Sequence, residues 1–307
     1  RCVLCAVAFG VVFQNTNHAA ATTLSAVASV GRNPFLLPPL YNQRKDETET
    51  NDDTTTVTVT TNINNNDTPL VSVMMVTYER PRLLRHALRQ LALQQNVGGL
   101  QVVVVDDSRD GPDDATELQD CLSVSNNDEN DTCQHTLVYH YSETRMAIGA
   151  KRNKAVELAS APHVIQVDDD DLYSPHRIAY QLEPLLRSTL ENKADITMLQ
   201  QHTWACLDPS NNDHPQFYEA TETFQQCCHY GTLCFAKHIY PTVRYPDDSS
   251  LGEDLAFVEC AEESPTTFPS PKIVVLSNQD DHHVYVRHGG ATNVGHDLSR
   301  DSRFKPA

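Results

Sequence analysis

The chain has 307 residues, of which 39% are hydrophobic, enough to bury the core of one large domain or two small ones. Its 41 acidic residues outnumber 23 Lys and Arg, and the formal net charge of -18 excludes general binding to nucleic acid or anionic membranes. The same charge repels an anionic substrate, so any such ligand needs a local inversion of the potential by a metal ion or by placed Arg and Lys side chains.

Residues 2–13, CVLCAVAFGVVF, form an apolar run too short to cross a bilayer, and fit the end of a signal peptide or signal anchor. The Thr-, Asn- and Asp-rich stretch that follows, with its run NDDTTTVTVTTNINNND, reads as a flexible stem. Residues 1–68 are therefore expected to lie outside the folded body and 69–307 to form it. Sequons at Asn66 and Asn130 fall in loop-like segments. Of nine cysteines only Cys2 and Cys5 form a CxxC pair, while Cys121 and Cys133 bracket a polar insertion that a disulfide could close. The expected setting is the Golgi or ER lumen, as a type II membrane protein anchored only through its N-terminus, with the cytoplasm left open.

From Leu70 the pattern becomes regular. LVSVMMVTY is a near-continuous apolar strand of the kind buried on both faces of a parallel sheet. Pro81 opens a helix in which Leu83, Leu84, Ala87, Leu88 and Leu91 recur at helical spacing. LQVVVVDDS is a second strand, DATELQDCL a short helix, TLVYHY a third strand, IGAKRNKAVELAS a helix, and HVIQVDDDD a strand running into four carboxylates. This alternation predicts a right-handed parallel α/β layer structure. A helix over HRIAYQLEPLLRSTL follows, then strands in ADITMLQQHTW and GTLCFAKHIY, a helix from Glu253, and late strands in KIVVLS and HHVYVRHG. From Asp208 to Cys228 the pattern weakens, and Trp204, Phe217, Tyr218 and Phe224 read as core in preference to ligand-stacking platforms.

Acids collect at strand ends. Asp106 and Asp107 share one edge of a parallel sheet with Asp168 to Asp171, the edge at which open α/β sheets bind ligands, and Glu253 and Asp254 open a later helix. On an extended strand Asp168 and Asp170 point one way and Asp169 and Asp171 the other. Converging carboxylates repel unless a cation sits between them, and Mg2+ or Mn2+ takes one or two carboxylates with substrate phosphates completing its shell. A third acid in such a cleft can take the proton of an acceptor hydroxyl. The plain alternatives are a solvated acidic loop and, for Glu253 and Asp254, acids that favour the helix dipole.

Six stretches, LVSVMMVTYERP, VVVVDDSRDG, IGAKRN, VIQVDDDDLYSPHRI, GTLCFAKHIY and GEDLAFV, occur in an order that resembles family-2 glycosyltransferases of GT-A fold, over about Pro69 to Gly290. The resemblance implies a mostly parallel central sheet flanked by helices, with a Rossmann-like nucleotide-binding half and an acceptor half. It implies metal-dependent, inverting transfer of one sugar from a nucleotide-diphospho-sugar, UDP-linked, to a hydroxyl of a glycan, protein or lipid. Thr77, Tyr78 and Glu79 then seat the nucleotide, Asp107 accepts a hydrogen bond from the base, and Arg145 and Arg152 lie near the diphosphate. Asp168 and Asp169 border the donor. Asp168 and Asp170 match the DxD pair that holds Mn2+ or Mg2+, Asp170 as direct ligand, with His288 adding a ligand and Asp254 matching the catalytic base. The chain departs from the family pattern at Glu79, where Asn is common, and lacks the QxxRW motif of processive synthases, since Trp204 precedes the base. Two other readings are a sugar-phosphate nucleotidyltransferase, although TYERPRLLRH has no glycine for a phosphate loop, and a non-catalytic sugar- or nucleotide-binding domain.

Overall fold

The computed structural model describes residues 12–14, 54–59, 69–123, 135–187, 193–206, 216–263, 270–288, 298 and 301–307. Asn66, Asn130, Cys2, Cys5, Cys133 and most of the expected stem lie outside the described residues.

Two short strands, β1 (Val12–Gln14) and β2 (Thr54–Val59), precede the regular part of the chain. There β3 (Val71–Thr77), α1 (Pro81–Ala92), β4 (Gln101–Asp106), α2 (Ala115–Cys121), β5 (Thr136–Ser142), α3 (Ile148–Leu158) and β6 (His163–Gln166) alternate as the periodicity predicts. The second half contributes β7 (Leu172–Tyr173), α4 (Arg177–Leu186), β8 (Ile196–Gln200), β9 (Thr203–Cys206), β10 (Gln216–Ala220) and α5 (Glu222–Gln225). It closes with β11 (Cys228–Ala236), α6 (Glu253–Glu263), β12 (Ile273–Leu276), β13 (His283–Arg287) and β14 (Phe304–Pro306).

Nine strands form one sheet in the order β1-β12-β8-β11-β6-β3-β4-β5-β2. Strands β6, β3, β4 and β5 are parallel, as are β1, β12 and β8, while β11 runs antiparallel between β6 and β8 and β2 runs antiparallel along β5. The uniformly apolar strands have a simple cause: both faces are covered. Val71, Val73, Met75, Val102 and Val104 pack under α1, α2 and α4 through Leu84, Leu88, Leu118 and Leu182. Met74, Val103 and Val105 face the other way, under α3 and α6, against Val156 and Phe257. A five-stranded second sheet, β14-β10-β9-β13-β7, has its own aromatic core of Trp204, Tyr218, Phe224 and Phe304.

Three expectations need correction. Thr54–Val59 is an edge strand rather than stem: its unbroken run of β-branched residues carries strand propensity that low complexity conceals. The last residues of the apolar N-terminal run pair beside β12, Val12 with Val274. The stretch from Asp208 to Cys228 holds β10 and α5, and Phe217 is exposed whereas Trp204, Tyr218 and Phe224 are buried. Cys121 and Cys234 are buried thiols. Among the described residues no helix is long and apolar enough to cross a membrane.

Candidate active site

Strands β3, β4 and β6 end on one edge of the large sheet, beside a cleft of about 1170 Å³. Thr77, Tyr78, Glu79, Arg145, Arg152, Asp168, Asp169, Asp170, Asp254 and His288 all line it. Asp107 is the exception. Its carboxylate is fully buried and taken by Arg145 Nη1 (2.5 and 2.6 Å), Lys151 Nζ (2.9 Å) and the Met146 amide (2.7 Å), so the expected contact with a base is not available to it. What Asp107 does instead is hold the Arg145 guanidinium 3.5 Å above the centroid of the Tyr78 ring. Lys151 also donates to the Thr77 carbonyl (2.8 Å), tying α3 to the end of β3; burial pulls its ammonium down. Glu79 lines the cleft with a left-handed backbone (φ 53°), a conformation in which Asn is enriched, and its carboxylate pairs with Arg109.

The acidic run is not an extended strand. β6 ends at Gln166 and a turn follows, braced by the Tyr173 hydroxyl, which donates to the Asp168 carbonyl (2.7 Å) and accepts from the Asp168 amide (2.8 Å). The expected alternation is therefore replaced by a partner for each acid. Asp168 accepts from Arg152 Nη2 (3.2 Å), and Asp169 from Thr77 Oγ1 (2.6 Å) and Arg80 Nη1 (3.0 Å). Asp170 accepts from the same Arg80 nitrogen (2.8 Å) and lies 3.0 Å from His288 Nε2. Asp171 is buried against β13, accepting from the Val286 amide (2.8 Å) with His283 Nε2 at 2.8 Å.

Burial pushes the Asp169 carboxyl up to about 6, helped by the charge of Asp170 and opposed by Arg80. Burial also raises Asp168 against the pull of Arg152, whereas at Asp170 the hydrogen bond to His288 and the charge of Arg80 outweigh burial and hold it below the usual range. Arg152 spans Asp168 and, through Nε at 3.0 Å, the buried Glu253. Asp168 and Asp170 with His288 offer two hard oxygens and one imidazole nitrogen, a donor set that suits Mg2+ or Mn2+ with diphosphate oxygens completing the shell. Among the described residues no three His, Cys, Asp or Glu converge as a finished metal cage, and the partners of the two carboxylates here are Arg152 and Arg80.

Gly252, with φ 71°, turns the chain into α6 and sets Asp254 in its first turn. Burial raises the Asp254 carboxyl to about 6, opposed by Arg152 and reinforced by Glu253. A carboxylate so placed accepts a proton near neutral pH. The segment before it is fixed by close contact with α3: the Gly149 amide donates to the Ser249 carbonyl (2.8 Å), and a Cβ there would meet the Pro246 carbonyl oxygen at 1.9 Å.

The second sheet supplies another wall, with Trp204, Tyr285, Arg287 and, from beyond the sheet's inner strands, Phe224 and Arg303. The Arg287 guanidinium lies 4.7 Å over the Trp204 ring, and its Nε and Nη1 are buried without hydrogen-bond partners, as is Nδ1 of His229. Each unpaired buried polar atom costs roughly 1–3 kcal/mol. Arg80, Lys151 and Arg287 were missed by sequence reasoning, although ERP, AKRN and VRHGG contain them; which cations turn inward is settled by tertiary pairing.

A family model described as glycosyl transferase family 2 matches residues 72–225, half of the chain. The chain belongs to that family. Two relatives agree: a protein of Escherichia coli strain K12 named as a colanic acid biosynthesis glycosyl transferase, WcaA, is 26% identical over 113 residues. An uncharacterized glycosyltransferase of Methanocaldococcus jannaschii, MJ1057, is 25% identical over 162 residues. These matches cover 37% and 52% of this chain, and the chain spans only 37% and 50% of the length of those relatives. The crystal structure of Staphylococcus aureus TarS 1-349 in complex with UDP-GlcNAc superposes with a TM-score of 0.50 at 19% identity, over 72% of this chain and 59% of that one. The family-2 match covers the Tyr78 platform and the acidic loop. Asp254, Arg287 and His288 of this family-2 chain lie beyond it.

Proposed function

We propose that this chain moves one sugar, with inversion, from a nucleotide-diphospho-sugar to a hydroxyl of a glycan, protein or lipid, and that the donor is UDP-linked, as in the TarS complex. The observation that carries the reading is that Asp254, with its carboxyl raised to about 6, opens on the same cleft as Asp168 to Asp170. In this reading Tyr78 and Arg145 seat the base, with Asp107 and Lys151 holding that platform from beneath. Arg152 attends the diphosphate. Asp168, Asp170 and His288 hold Mn2+ or Mg2+, which when bound neutralises charge on the leaving diphosphate. Asp254 takes the proton of the acceptor hydroxyl as its oxygen bonds to the anomeric carbon from the face opposite the departing diphosphate oxygen.

Calorimetric titration of the full chain with UDP, GDP and CDP, each with Mn2+ and again with EDTA, tests the donor site. UDP should bind with Mn2+ and lose roughly tenfold or more in affinity with EDTA. A folded sample that binds none of the three refutes the donor site; preference for GDP or CDP refutes only the UDP assignment. Hydrolysis of the matching nucleotide-sugar without acceptor then separates an enzyme from a binder.

A further inference from the structure

The arginines of the cleft are not equivalent. Arg80, Arg145, Arg152 and Arg303 each pair with carboxylates, Arg303 with Asp301. Arg287 does not. Its side chain lines the cleft, yet Nε and Nη1 are buried and make no hydrogen bond, and His229 on the same wall leaves Nδ1 in the same state, with its ring 5.0 Å from that of Tyr285. Three orphaned polar atoms thus lie together beside the cleft, two of them on a guanidinium that makes no ion pair among the described residues. The paired Nη1 and Nη2 groups at the end of a guanidinium match the two oxygens of a phosphate or carboxylate. The Trp204 ring behind the guanidinium fixes its plane, and Tyr285 adds an aromatic face beside it.

This wall comes from β9 and β13, with His229 at the start of β11 beside it, whereas the Tyr78 and Arg145 platform comes from the segments after β3 and β5. We propose that the second-sheet wall is an acceptor subsite and that the acceptor carries an oxyanion near the hydroxyl it offers, paired by Arg287. The inference rests on the glycosyl-transfer reading above. It also explains how a chain of net charge -18 admits a second anionic substrate: the repulsion is reduced locally by a guanidinium that makes no ion pair among the described residues and feels Asp301 only through space.

The test uses the full chain with Mn2+ and saturating nucleotide, titrated with glycerol 1-phosphate, glycerate and, as a neutral control, glycerol. One or both anions should bind with one-to-one stoichiometry and glycerol should not; whichever anion binds identifies phosphate or carboxylate as the preferred group. Arg287→Gln should weaken anion binding by about tenfold or more, and Arg287→Lys, which keeps the charge and loses the fork, by less. Affinity for the nucleotide, measured on the same samples, should change less than about twofold. The proposal is overturned if glycerol binds as well as its phosphate, if Arg287→Gln leaves anion binding unchanged, or if the anions displace the nucleotide. A loss of nucleotide affinity in Arg287→Gln with retained circular dichroism also overturns it, because Arg287 then serves the donor. If the folded wild-type chain binds no nucleotide, the donor reading fails by itself; the same anion titrations without nucleotide then decide the oxyanion site, for it if binding needs Arg287 and against it if not.

Discussion

Asp254 can act as a base only while ionised, and burial sets that transition at about pH 6. Transfer at saturating donor should therefore rise with pH through about 6 and level off, and Asp254→Asn should lower it by roughly 10²–10⁴-fold while removing that limb, with nucleotide affinity retained. A pH–rate profile of both proteins decides it, and transfer that survives in the variant removes Asp254 from the mechanism. Asp169 shows the cost of the same environment. Its folded pKa of about 6 lies above the ordinary 3.8, so the native state binds the proton more tightly than the unfolded chain, and stability falls as pH rises between those values. Asp169→Asn should stabilise the ligand-free protein at pH 7.5 by on the order of 1–3 kcal/mol, a gain that fades towards pH 4. Urea unfolding at the two pH values measures it, and a variant less stable at pH 7.5 contradicts the assignment. Acids after a strand or at a helix start announce themselves by type and position, which is why Asp168, Asp170 and Asp254 were legible. The burial of Asp107 and the orphaned state of Arg287 depend on partners 38 and more residues away, which no local pattern carries.

At the scale of elements, β3 and β4 were readable because a strand covered on both faces has no polar alternation to confuse it. The acidic turn misled for the opposite reason: β6 stops at Gln166, and nothing in the run of aspartates marks where extended geometry gives way to a turn. β2 hid inside a low-complexity run, and β10 follows a stretch with no clear period. The contact between α3 and the segment before α6 carries a sharper consequence. α3 brings Lys151 and Arg152 to the cleft, and Gly149 lets its first turn lie against Pro246 and Ser249. Gly149→Ala should destabilise the fold by about 1–3 kcal/mol or more, since backbone and not a flexible side chain must give way. Denaturant midpoints with an unchanged m-value report the loss; an unaltered midpoint shows that the two segments part freely.

For the whole molecule, the N-terminal segment matters more than its composition suggests. β2 lies along β5 and β1 along β12, so both edge strands of the large sheet are supplied by residues that precede Pro69. A chain beginning at Pro69 should present β12 and β5 as edges in place of the shorter β1 and of β2, and self-associate more strongly with concentration than the longer chain, visible by sedimentation velocity. A monodisperse shortened protein at high concentration argues that the edges are harmless. The two sheets meet through Asp171, a carboxylate in the acidic turn that receives the amide of Val286 on β13 and is buried beside His283. That amide donates to a carboxylate in the turn that leads from one sheet to the other. Its exchange with deuterated solvent therefore clocks how often the turn and the second sheet separate, and one resonance or peptide mass in the unlabelled, substrate-free protein is enough to follow it.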